Sequence, residues 1–510
     1  MVTSKGCDSL VALHLKISPA FRIVQSEIAC QTFTWDKNGK VYTTTTTDSV
    51  IYKTAANCDS IIVLDVFIIN FDITVSNKTT YLEANLAGAE YQWVNCFTRL
   101  PIVGATAQTI SSAGNNPVPG ISKDRIAKID AMLEEAIKAD EVPGLVALVV
   151  KDGKIVYHSA KGFAGVAEGK KMEKNSIFRI ASQTKAITST AILMLYEEGK
   201  IQLDDPISKY IPEFANPQVL ASFRYADTSY TSKPSSKVIT IRHLLTHTSG
   251  LGYGVIDGDE RMKMIYHKAG VMDLFTTEKI TIGESVKRLA KLPLHHEPGA
   301  KYTYSEGLDV LGYLVEIISA KPFDVFLKER IFDPLGMNDT RFYLNDAQGE
   351  RLVDVHTYQG GKWKAYPVTF YDPAYPKTGA KTFFSGGAGL SSTTEDYAKF
   401  LQMYLNGGSY NGVRLLSPLT IQTAMKNQVG DLWNGDKHYG LAFGVVTAKG
   451  VAQGGQGSEG TFDWGGYFNT QYFADPNHKV IGLLFKQTSG AGKGDQTAWK
   501  FRQMLFSAVE

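Results

Sequence analysis

FRIASQTKAITSTAILMLYEEGK, residues 178–200, sets Ser182 and Lys185 three positions apart, just ahead of the apolar run 191–196. Residues i and i+3 of a helix share a face, so the Ser182 hydroxyl and the Lys185 amine can approach hydrogen-bonding distance. A serine hydroxyl is a weak nucleophile until a neighbouring base takes its proton. S-x-x-K also arises by chance, and its plain reading is a polar helix start with a solvated lysine. The apolar run argues against that reading, because it predicts a buried helix whose N-terminal turn faces a cleft. A lysine withheld from water gives up its proton more readily, which is the state a base needs.

Five further blocks follow in order: ITIRHLLTHTSGL (239–251), PGAKYTYSEGLDVLGYLVEIIS (298–319), RIFDPLGMNDTRF (330–342), FFSGGAGLSSTTEDYAKF (383–400) and FDWGGYFNTQYFADP (462–476). Together with the first, they resemble the serine β-lactamase-like superfamily. The nearest resemblance is to family VIII carboxylesterases, which are similar to class C β-lactamases and D-alanyl-D-alanine carboxypeptidases. It runs from about Ile121 to Glu510. It implies an α+β, β-lactamase/transpeptidase-like fold of two lobes, an antiparallel sheet flanked by helices plus a mostly helical lobe, with the active site between them.

The resemblance assigns further residues. Tyr304-Ser305-Glu306 stands where the family carries Tyr-x-Asn, which implies Tyr304 as general base in concert with Lys185; a nearby ammonium lowers the cost of an ionised phenol. Glu306 departs from the asparagine, as family VIII esterases commonly do. Where β-lactamases carry Lys-Thr-Gly on a strand, this chain has Trp464-Gly465-Gly466, the form that family VIII esterases show. A tryptophan cannot supply the charge that binds a substrate carboxylate, so uncharged esters become the better substrates. Glycines at 465 and 466 would let the acyl group approach the strand backbone. By analogy, the oxyanion hole is the N–H of Ser182 and that of Tyr467, donors typically worth about 3–4 kcal/mol each. A literal Lys377-Thr378-Gly379 precedes the SGGAGL block in a proline-containing loop and is read as coincidence.

The chain of 510 residues is longer than one core usually serves. With 44% hydrophobic and 20% charged residues and a net charge of +2, it reads as globular, with no reason to invoke nucleic acid as a partner. No run of eighteen apolar residues suggests a transmembrane helix, and no signal peptide is evident at the N-terminus.

Residues 1–110 read as a β-rich region and 111–120, SSAGNNPVPG, as a linker, with the hydrolase-like part from 121 to 510. GCDSLVALHLKI at Gly6 and NCDSIIVLDVFI at Asn57 repeat 51 residues apart. Short strands are expected around 60–67, 43–47 and 91–93. All four cysteines, Cys7, Cys30, Cys58 and Cys96, lie here. The region resembles cysteine-containing β repeats of secreted Bacteroidetes surface proteins. An oxidising compartment is favoured, hence a secreted, cell-surface or periplasmic location, with Cys30–Cys58 as the guessed pair. Reduced, buried cysteines are the alternative. By the same repeat, a disulfide-bonded Cys7 corresponds to Cys58 and would need a partner upstream of residue 1.

Helical spacing of Ile126, Ile129, Met132, Leu133, Ala136 and Ile137 after Ser122 predicts a helix, and the apolar runs around Lys151-Asp152-Gly153-Lys154 predict a hairpin. Helical structure is expected between Pro217 and Leu294, shaping the pocket. His243 and His247 could mimic a zinc pair, but no glutamate follows His243 and no third ligand is evident, so a structural role is the simpler reading. No G-x-S-x-G elbow is present. Gly454–Gly460 lacks the Lys-Ser/Thr of a phosphate loop, and His295-His296 read as loop residues. The expected activity is a metal- and cofactor-free serine carboxylesterase acting on a small ester, with a short acyl chain. The alternatives are a β-lactamase, a D-alanyl-D-alanine carboxypeptidase, an acyltransferase on the same residues, or a surface binding protein carrying a decayed enzyme.

Overall fold

The computed structural model describes residues 22–30, 33–53, 59–69, 76–78, 81–83, 109–114, 117–433, 435–454, 457–489 and 494–510. The chain divides into two compact units, Met1–Thr106 and Ala107–Glu510.

In the first unit, Asp59–Ile69 is a central strand, paired in parallel with Arg22–Cys30 and antiparallel with Thr46–Lys53. The threonine run thus enters its strand at Thr46, while 60–67 falls wholly within one. Among the described residues there are also two short hairpins, Phe33–Thr34 with Val41–Tyr42 and Ser76–Lys78 with Tyr81–Glu83. The guessed Cys30–Cys58 pairing, the other cysteines and residues 91–93 lie outside the described side chains.

The second unit is built on an antiparallel sheet in the order Lys170–Lys171, Lys154–Gly165, Gly144–Lys151, Val480–Phe485, Thr470–Asp475, Phe462–Gly466, Gly444–Val446, Lys437–Tyr439. Ser111–Ser112 pairs in parallel with Lys154 and Ile155. Strand Gly144–Lys151 is an uninterrupted apolar run because both of its faces are covered. Leu145, Ala147 and Val149 pack under helices Lys123–Lys138 and Thr497–Ala508, and Val146, Leu148 and Val150 enter the main core on the other side. The hairpin turns at Asp152 and Gly153, both at positive φ (49° and 73°), as a two-residue Asp-Gly turn requires. Ser122 takes the extended N-cap conformation of the first helix, yet its side chain makes no cap hydrogen bond there. The predicted helix spacing is realised with Ile126, Ile129, Leu133 and Ala136 inward.

The second lobe is mostly helical, with Glu260–Lys268, Ile282–Leu289 and Gly307–Ser319 among its helices. Residues 217–294 are not all helical, however. Gln218–Arg224 and Ser229–Pro234 form an antiparallel hairpin, turning through Thr228 at φ 59°. The β-branched and aromatic residues Val219, Phe223, Tyr230 and Thr231 on either side of a polar turn, in a segment exposed along much of its length, favour this departure. Helix Thr184–Glu197 packs on Gly307–Ser319 between the lobes and is buried from Thr184 through Leu195. Its interior hydroxyls are satisfied: Thr188 Oγ1 donates to Gly386 O at 2.7 Å and Thr190 Oγ1 to Ala186 O at 2.8 Å. Among the described residues no helix is long and apolar enough to cross a membrane.

Candidate active site

Phe178–Arg179 pairs antiparallel with Ser391–Ser392 and delivers the chain to a short 3₁₀ turn, Ala181–Gln183, that continues into helix Thr184–Glu197. Arg179 fastens this entry: its guanidinium donates to Val353 O at 2.6 Å and Pro373 O at 2.7 Å, and its N–H to Gln487 Oε1 at 2.7 Å. Ala181 sits at φ 43°, a left-handed conformation that costs a non-glycine residue about 1 kcal/mol or more and here immediately precedes Ser182.

Lys185 is only 2% exposed. Its Nζ lies 3.3 Å from Ser182 Oγ, 2.8 Å from Tyr253 OH and 2.7 Å from Gly387 O. The Ser182–Lys185 approach expected from the helical spacing is therefore present. Tyr304 adjoins the same nitrogen in a different way: Nζ lies over its ring, 4.5 Å from the centroid. The phenol that hydrogen-bonds Nζ is that of Tyr253, which the sequence reading passed over. It stands two residues beyond the THTSGL block, in Gly252-Tyr253-Gly254, and a glycine-flanked aromatic was the one available signal. Burial, reinforced by Tyr304 and the carboxylates of Asp309 and Glu306, holds the Tyr253 phenol far above its ordinary range, so it stays protonated.

The third Lys185 acceptor is itself positioned. Asp309 Oδ1 accepts from Gly387 N–H at 2.6 Å and from Ser385 Oγ at 2.8 Å, so the SGGAGL block and the Tyr-x-x helix are tied together beneath the lysine. Burial raises the Asp309 carboxyl to about 6, although these two hydrogen bonds and Lys185 pull it down. At neutral pH it is ionised.

Trp464 lies on strand Phe462–Gly466, its ring 6.1 Å from that of Tyr304, 5.4 Å from Tyr439 and 5.9 Å from Trp433. The glycines after it are not equivalent. A Cβ on Gly466 would sit 2.4 Å from Ile180 O and 2.3 Å from Thr470 Oγ1, so this glycine admits the strand against the residue two before Ser182. The reason for glycine at 466 thus lies within the protein. Gly465 has more room, with Thr470 O at 3.3 Å from its hypothetical Cβ. Tyr467 occupies the turn that follows, with Asn469 N–H returning to Gly466 O at 3.0 Å, and its side chain is 40% exposed. Lys437, on the edge strand beyond Gly444–Val446, is held by Asp463 at 2.7 Å.

The remaining candidates resolve into structural parts. Lys377 is exposed at the end of a short helix, Tyr375–Thr378, with its stem along Gly349. His243 Nδ1 accepts from Thr240 N–H in a capping box, whereas His247 Nδ1 accepts from Ser305 N–H at 3.2 Å. Burial, and secondarily the Lys185 charge, push His247 well below its usual value, so a neutral ring backs Tyr304 at 4.6 Å. His295 Nε2 meets Asp257 Oδ2 at 3.0 Å. A cavity of about 410 Å³ is lined by Asp463, Trp464, Gly465, Phe473, Trp499 and Arg502 among others, so it touches the Trp464 strand but not Ser182.

The beta-lactamase family model matches residues 129–503. The chain belongs to the beta-lactamase family. An uncharacterized Mycobacterium tuberculosis protein is 32% identical over 374 residues, covering 70% of this chain and 88% of that protein. Esterase EstB of Burkholderia gladioli is 29% identical over 402 residues, covering 75% and 95%. Among solved structures, EstCE1, described as a hydrolase with promiscuous acyltransferase activity, aligns with a TM-score of 0.64 at 25% identity, covering 75% of this chain and 99% of that one. The beta-lactamase-family part thus lies wholly in the second unit, and its fold is the two-lobed one that the six sequence blocks imply.

Proposed function

We propose that this protein is a serine carboxylesterase that cleaves uncharged esters of short acyl chains through an acyl-enzyme on Ser182. The observation that carries this reading is the triple contact of Lys185 Nζ with Ser182 Oγ, Tyr253 OH and Gly387 O. In the acylation step the neutral form of Lys185 takes the Ser182 proton as Oγ attacks the ester carbonyl. The C–O bond to the alcohol then breaks, and Lys185, with Tyr304, returns the proton to the departing oxygen. Water attacks the acyl-enzyme by the same route in reverse and releases the acid. The N–H groups of Ser182 and Tyr467 are the proposed donors to the oxyanion.

Uncharged substrates are favoured because the wall next to Tyr304 is aromatic, formed by Trp464, Tyr439 and Trp433, and Lys437 behind it is occupied by Asp463. The esterase activity of EstB and the hydrolase activity of EstCE1 support the reaction class. The test is the ratio of kcat/KM for p-nitrophenyl butyrate to that for a chromogenic cephalosporin. A ratio far above one is expected. A ratio at or below one would overturn the reading in favour of a β-lactamase or peptidase.

A further inference from the structure

Beneath Tyr253 lies a group of acids that the reaction does not use. Glu306 and Asp273 are both buried. Gly254 N–H is hydrogen-bonded by both of them, to Asp273 Oδ2 at 2.8 Å and to Glu306 Oε1 at 3.3 Å. Among the described residues neither has a cation within ion-pair distance. Two full negative charges on one N–H, withdrawn from water and without a counter-charge, are strongly disfavoured.

The same two residues fix the loop 252–257. Glu306 N–H donates to Gly252 O at 3.0 Å, while its carboxyl meets Gly254 N–H, so it holds the chain on both sides of Tyr253. Asp273 Oδ2 also accepts from Val255 N–H at 2.8 Å, and Asp257 Oδ2 accepts from Tyr253 N–H at 2.8 Å. A Cβ on Gly254 would meet Asp273 Oδ2 at 2.8 Å, so glycine is needed for this approach. The loop in turn delivers the Tyr253 hydroxyl to Lys185.

We propose that Glu306 and Asp273 share one proton, and that this acid–carboxylate pair is the positioning element that holds the loop 252–257 closed on Lys185. The proton resides on one of the two carboxyls, leaving a single charge that the Gly254 and Val255 N–H groups can satisfy. Burial and the charges of Asp273, Asp309 and Asp257 hold the Glu306 carboxyl well above the usual carboxylate range, and burial raises Asp273 as well. The other groups facing the pair are the Tyr253 and Tyr266 phenols, both held protonated by burial. Lys185 lies beyond Asp309, and His295 lies against Asp257. Loss of the shared proton at alkaline pH leaves two like charges on one N–H, and the loop is expected to release.

The inference rests on the proposed function only for what Lys185 does; the state of the loop is read without turnover. The test is hydrogen exchange of peptides spanning residues 252–257 in the full chain at about pH 7 and about pH 9.5, corrected for intrinsic exchange. Wild type is expected to lose roughly tenfold or more in protection at the higher pH. Glu306→Gln, which has no proton to lose, is expected to keep its protection and to lack the corresponding alkaline fall in kcat/KM. Asp273→Asn is the second variant, read in the same way should the first fail to fold. Equal loss in wild type and variant, or no loss in wild type, would overturn the proposal, whatever the substrate proves to be.

Discussion

Tyr253→Phe removes one oxygen and leaves a ring of the same shape in a site where Tyr253 is 1% exposed. Lys185 Nζ then keeps Gly387 O and Ser182 Oγ but loses its 2.8 Å contact with the phenol. A hydrogen bond between uncharged groups contributes about 0.5–1.5 kcal/mol, and each 1.4 kcal/mol is a factor of ten, so a roughly 2- to 12-fold loss is expected. The loss should fall on kcat, because the phenol orients the proposed base and the proposed substrate contacts are elsewhere. Steady-state hydrolysis of p-nitrophenyl butyrate, with a thermal melt alongside, reads it. A change in kcat below about twofold in a variant that melts normally would refute the claim that Tyr253 holds Lys185 in place.

Two further outcomes follow from the geometry. Gly466→Ala forces a Cβ to 2.4 Å from Ile180 O, and such overpacking typically costs about 1–3 kcal/mol, so a lowered melting temperature and a loss of activity are expected together; unchanged values in both would contradict the packing role given to this glycine. Asp309, raised to about 6 in the folded chain, retains a proton there that the unfolded chain releases near pH 4. Its contribution to stability therefore falls as pH rises through that window, by about 3 kcal/mol in all. Urea unfolding of wild type and Asp309→Asn at pH 4 and pH 7 should show wild type losing ground to the variant by that order, and a difference independent of pH would contradict it.

The architecture was legible because its signals are local. The Asp152-Gly153 turn, the helix face from Ile126 to Ala136 and the Ser182–Lys185 spacing each need only a few adjacent residues to be recognised, and each is realised in the structure. The hairpin at 218–234 was harder, because its strands are short and largely exposed and its inward residues, Val219, Leu220 and Phe223, do not alternate. The site was legible only in part. Ser182, Tyr304 and Trp464 stand in ordered blocks, but the role of Tyr253 depends on a loop whose course is set by Asp257, Asp273 and Glu306, from three separate segments. Similarly, Gly466 is glycine because of Ile180, almost three hundred residues earlier in the chain, a relation that no pattern of neighbours contains.

In the proposed reaction a single serine, Ser182, carries the acyl group. This is tested most directly by trapping that intermediate: rapid acid quench of the enzyme with p-nitrophenyl butyrate, followed by peptide mass spectrometry. A butyryl adduct is predicted on the peptide containing Ser182, absent from a folded Ser182→Ala variant that has also lost turnover. An adduct on another residue, or turnover retained in Ser182→Ala, would contradict the assignment of Ser182 as the nucleophile.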